Sequence, residues 1–95
     1  MHHYIAIVED AGPDTAIGVW FPDLPGCFSA GETLDEAIEN APEAIAVYAE
    51  ALTKDGRDLP TPRSLAELKN DPEFAAEVRD NMVALVSAPQ PIAAE

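Results

Sequence analysis

Apolar side chains run without a break from Tyr4 to Val8 and again from Met82 to Val86. Runs of this length, rich in β-branched residues, predict strands buried on both faces. Between Thr15 and Phe21 a second strand is expected, joined to the first by the Gly-containing linker Asp10 to Asp14, which suits a hairpin. A different period takes over after Gly31. Leu34, Ile38, Ala41, Ile45, Tyr48 and Leu52 step alternately by four and three, while Glu36, Glu39, Asn40, Glu43 and Glu50 fall elsewhere. That is one amphipathic helix reaching about Lys54. Pro42 lies inside it, and because the apolar register continues through the proline, a kink near Ile38 is expected rather than two helices.

The punctuation between these segments is equally readable. Pro22 holds Phe21 extended, and Leu24-Pro25-Gly26-Cys27 fits a type II turn with Pro and Gly at its centre. A short third strand, Cys27 to Ala30, follows and stops at Gly31. Thr33 and Glu36 have capping-box spacing, the hydroxyl accepting from the Glu36 amide while the Glu36 carboxylate reaches back. Past Asp55-Gly56 the stretch Leu59-Pro60-Thr61-Pro62 is a stiff extended connection, Ser64 and Glu67 form a second capping box, and Asp71-Pro72-Glu73 opens a further short helix to about Asp80. The last strand is Met82 to Ser87, and a single domain over 1–88 with a loose tail at 89–95 is expected.

The predicted fold is therefore α+β: strand, strand, strand, long helix, short helices, strand. A right-handed crossover beside the first strand gives a mixed sheet of order 3-2-1-4, its last strand parallel to its first, packed on the long helix. Ile5 and Ile7 face one way, and Tyr4, Ala6 and Val8 the other. One helix covers one face, so the second needs the short helices or another chain. Self-association as a dimer or tetramer is the expectation, with Tyr4, Ala6, Val8, Trp20 and Phe21 as candidate interface. Trp20 and Phe21, being adjacent, must face opposite sides.

Charge narrows the partners. Eighteen Asp and Glu against five Lys and Arg give a formal net charge of −13, which repels the phosphates that a nucleic-acid binder must neutralise. Direct nucleic-acid binding is disfavoured, and a basic protein partner is electrostatically suited. The apolar runs fall well short of the ~20 residues of a membrane helix, and the single Cys27 forms no internal disulfide, so a cytoplasmic protein is expected.

The segment Phe21-Pro22-Asp23-Leu24-Pro25-Gly26-Cys27, the segment Gly31-Glu32-Thr33-Leu34-Asp35-Glu36-Ala37, the pairs Asn40-Ala41 and Ala44-Ile45, and Leu59-Pro60-Thr61-Pro62 together resemble the HicB family of antitoxins over residues 4 to about 63. The resemblance implies a partial RNase H-like fold and a partner, the HicA-like toxin, a small basic RNA-cleaving protein. Many such antitoxins continue into a C-terminal DNA-binding segment, and the resemblance is to a form lacking it.

No catalytic, cofactor or metal site is expected. Asp23 is the tempting carboxylate for a degenerate, metal-dependent RNase H-like nuclease, but flanked by prolines it is read as a turn residue. The first strand has no central acid, and Cys27 has no histidine after position 3 to serve as its base. Pro22, Asp23, Pro25, Gly26, Gly31, Thr33 and Glu36 form a structural motif. An orphan self-associating module stands beside the antitoxin and nuclease readings.

Overall fold

The computed structural model describes residues 3–88, so the tail expected at 89–95 lies outside the described residues. The elements are β1 (His3–Glu9), β2 (Ile17–Trp20), β3 (Phe28–Gly31), α1 (Leu34–Lys54), α2 (Leu65–Lys69), α3 (Ala75–Asp80) and β4 (Met82–Ser87). Each predicted element is present. β2 is shorter than expected at both ends, and Pro42 does not divide α1.

The strand order is β3-β2-β1-β4, as the pattern predicted. The direction of β4 is not. It runs antiparallel to β1, from Met82 opposite Val8 to Ser87 opposite His3, and the other pairs are antiparallel too. The expected mixed sheet is thus an antiparallel one, and the reason lies in the connection. β1 ends, β2 begins and β3 ends at one end of the sheet, where Glu9 faces Gly18 and Ile17 faces Gly31. α1 leaves that end and, at 1.5 Å per residue, runs about 30 Å across the sheet. At the far end the Tyr4 hydroxyl donates to the Pro60 carbonyl. A return through α1 alone leads into a β4 parallel to β1. Instead the chain crosses again through α2 and α3 on the opposite face, and this second traverse reverses the strand that follows.

The core consequently has two leaves. Beneath α1, the residues Ala37, Ala41 and Ile45 pack on Tyr4, Ala6, Val8, Val19, Phe21 and Val86, with Ile38, Ala44 and Tyr48 at the margin. On the other face Leu68 and Val78 pack on Ile5 and Ile7, with Trp20, Phe74 and Val83 around them. The short helices therefore cover part of the second face, one of the two possibilities the pattern left open.

The ends of α1 follow from local chemistry. The Thr33 hydroxyl accepts from the Glu36 amide at 3.1 Å. The Glu36 carboxylate reaches back to the amide of Glu32 at 2.7 Å, one residue before the partner a reciprocal box requires. At the other end Gly56 takes φ 73°, while its amide and that of Arg57 bond to the carbonyls of Thr53 and Leu52, a Schellman stop. The second predicted box is complete: Ser64 Oγ accepts from the Glu67 amide and Glu67 from the Ser64 amide.

Candidate functional site

The turn after β2 forms as its sequence dictates. The Cys27 amide donates to the Leu24 carbonyl at 3.0 Å and Gly26 holds φ 86°, the left-handed position that a type II turn assigns to glycine. Asp23 does not cap this turn. Its Oδ2 accepts from the Arg63 amide and its Oδ1 from Arg63 Nε, both at 2.7 Å. The Asp23 side chain is only 7% exposed. Arg63 also donates from Nη1 to Asp71 Oδ2 at 2.8 Å, and its guanidinium lies 5.5 Å from the centre of the Phe74 ring. Phe74 in turn packs on Trp20, whose Nε1 donates to Glu9.

One arginine thus joins the turn after β2, the Pro-rich connection and the α2–α3 junction. Sequence reasoning missed it. Its signal was an isolated cation directly after Pro62, in a chain with few cations. The electrostatics agree with the geometry: hydrogen bonds from the Glu73 amide and from Arg63 hold the Asp71 carboxyl below the usual range, while Asp23 and Asp71 raise the Arg63 guanidinium further. The Tyr4 hydroxyl is pushed up, first by burial and then by the Asp23 carboxylate.

Gly31 and Asn40 fix the start of α1 on the sheet. The Asn40 amide group donates to the Ala30 carbonyl at 3.0 Å and Ser29 Oγ to the Ala37 carbonyl at 3.1 Å. Gly31 is buried against the first helical turn, so close that a Cβ there would fall 2.4 Å from the Ala37 nitrogen.

The residues expected to form an interface are mostly elsewhere. Tyr4, Ala6, Val8 and Phe21 are buried under α1 and have no surface to offer a partner. Alternation defines two faces but does not say which one the helix takes, and the helix takes theirs. Trp20 lies on the opposite face, half-buried against Phe74. The large apolar side chains left most exposed are Phe28, Val47, Met82 and Leu85. Among the described residues, no three His, Cys, Asp or Glu side chains converge where a metal ion could sit. Cys27 is buried, and burial pushes its thiol up to about 11 from 9.0. Its thiolate fraction near neutral pH is therefore about 100-fold below that of a free cysteine.

These features define an acidic α+β protein, an antiparallel sheet packed on one long helix and tied together by an arginine between two aspartates. Residues 4–90 match the family described as HicB-like antitoxin of bacterial toxin-antitoxin system, and the chain belongs to that family. It is 47% identical over 53 residues to a 14.9 kDa protein from the rep-hol intergenic region of Haemophilus phage HP1, a stretch covering 56% of this chain and 40% of the phage protein. The chain thus spans less than half the length of that relative. Its fold is similar to the N-terminal domain of Burkholderia pseudomallei antitoxin HicB, at 36% identity and a TM-score of 0.68 over 93% of this chain and 99% of that one. It is also similar to a chain of the HicA3 and HicB3 toxin-antitoxin complex, at 30% identity and a TM-score of 0.70, again over 93% and 99%. No helix among the described residues is long and apolar enough to cross a membrane.

Proposed function

We propose that this chain is an antitoxin that binds a small basic HicA-like toxin and blocks its RNA-contacting surface. A single domain over 1–88 does so in the cytoplasm, by binding rather than catalysis and without touching nucleic acid itself. The observation that carries this reading is family membership over 4–90, together with the likeness to a chain of a toxin-antitoxin complex. Physical chemistry supports it in two ways. A net charge of −13 attracts a cationic partner and repels the RNA competing for the same cationic surface. Asp23, the carboxylate a nuclease most needs, is occupied by Arg63.

The test is reconstitution with a small basic HicA-like protein, sought first in the reading frame adjacent to this one. A stoichiometric complex is expected that suppresses the partner's RNA cleavage, with an association rate that falls steeply as salt rises. Failure to form a complex at micromolar concentration sinks the proposal. So does Mg²⁺- or Mn²⁺-dependent nuclease activity of the isolated chain that is lost in Asp23→Asn.

A further inference from the structure

α2 and α3 cover only part of the second face of the sheet. Leu68 and Val78 lie over Ile5 and Ile7, with Val83 and Trp20 at the margin. The half of that face carried by β2 and β3 extends beyond this cluster, and the strand register gives what it presents. One row runs Ile7, Trp20, Phe28 across the strands, and the next runs Glu9, Gly18, Ala30. Phe28 is 71% exposed, the most of any large apolar side chain among the described residues. Ala30 and Glu9 are exposed as well.

Gly18 is the residue that needs explaining. A glycine inside a strand weakens it, and where no bulge or bend requires one it marks a place where something else approaches the backbone. Both ladders run through Gly18 residue by residue, its φ is not positive, and a Cβ built there meets nothing within 4 Å. Among the described residues, then, neither conformation nor crowding asks for glycine here, in contrast to Gly26 and Gly31.

Its effect is a shelf. Gly18 and Ala30 form a low floor bordered by Trp20 and Phe28, and the Glu9 carboxylate, which accepts from Trp20 Nε1 at 2.7 Å, closes one end. From Ala30 across Gly18 to Glu9 the floor covers two strand spacings, about 10 Å. No cation among the described residues pairs with Glu9. Arg63, which reaches Phe74, is already held by Asp23 and Asp71.

We infer that this shelf receives an arginine or lysine side chain of the basic partner. The inference rests on the antitoxin reading and adds the surface through which that reading acts. The match is chemical: the aliphatic stem lies on the small floor, the aromatic border attracts both stem and cation, and the charged head meets Glu9. A carboxylate at the end of an apolar slot rejects an anionic ligand and fixes the register of a cationic one.

The test uses the full chain, isotope-labelled, and the unlabelled HicA-like protein of the reconstitution. Trp20 is the only tryptophan, so its indole N–H gives a single signal, expected to shift on binding as Glu9 engages the incoming cation. Gly18→Val fills the floor without a clash and suits a strand, so its urea midpoint should match or exceed the parent's while binding weakens about tenfold or more. Glu9→Gln keeps an acceptor for Trp20 but removes the charge, and should weaken binding to a similar extent. Glu50→Gln removes the same charge from the exposed face of α1 and should change affinity by less than about threefold. A complex that leaves the Trp20 signal unmoved, or that either shelf variant forms as tightly as the parent, overturns the inference and leaves the antitoxin reading standing. Absence of any complex with the parent chain sinks both.

Discussion

Gly31→Ala is expected to cost about 3 kcal/mol of folding stability, within the range for forcing extra atoms into a packed interior. The added Cβ would lie 2.4 Å from the Ala37 nitrogen, 2.8 Å from the Glu36 carbonyl carbon and 2.9 Å from the Ala37 Cα. All three are backbone atoms of the first turn of α1, and none can swing aside as a side-chain tip could. Either the helix start moves off the sheet or β3 does, and the Thr33 cap and the Asn40 bond to Ala30 are strained with it. Gly26→Ala provides the comparison. It meets nothing within 4 Å but must hold φ 86°, a purely conformational cost of about 1 kcal/mol. Urea unfolding of both variants checks the ordering. Equal losses at the two positions contradict the close-approach account of Gly31.

The second large effect belongs to Arg63. Arg63→Ala is expected to lose about 3 kcal/mol, because it leaves the enclosed Asp23 carboxylate without the guanidinium that neutralises it. Asp23→Ala should cost less, since the guanidinium keeps Asp71. The double variant should cost less than the sum of the single ones, the mark of a direct interaction. Denaturation midpoints for the three proteins decide this, and strict additivity contradicts a shared network. Acid acts on the same group: the Asp71 carboxyl titrates below its ordinary 3.8 when folded. Its contribution is present at neutral pH and is lost as pH falls through the lowered folded value.

Why the segments were legible and their wiring was not can be put in physical terms. Local rules place Gly26 in its turn, Thr33 and Ser64 at their caps and Gly56 at its stop, because each depends on neighbours within a few residues. The strand order also followed, from hairpin length and from two runs apolar on both faces. The direction of β4 did not, because it depends on whether residues 64–80 traverse the sheet or merely decorate it, and two short capped helices are compatible with either. The Asp23–Arg63 bond joins positions 40 residues apart, and no local pattern carries such a pair. A structural role for Asp23 was readable, though as a turn residue, and its partner was not readable at all. The interface residues went astray for a similar reason: an alternating strand announces two faces, and only the path of α1 decides which is buried.

The reversed β4 also sets how the fold meets force. Because His3 lies opposite Ser87, the first and last strands begin and end at the same end of the sheet. A pull on the two chain ends loads the ladder between them as a zipper, one pair at a time from His3–Ser87 upward. With a parallel β4 the same pull would have sheared the whole ladder at once. The seam between β1 and the edge strand β4 is therefore the one through which tension enters first.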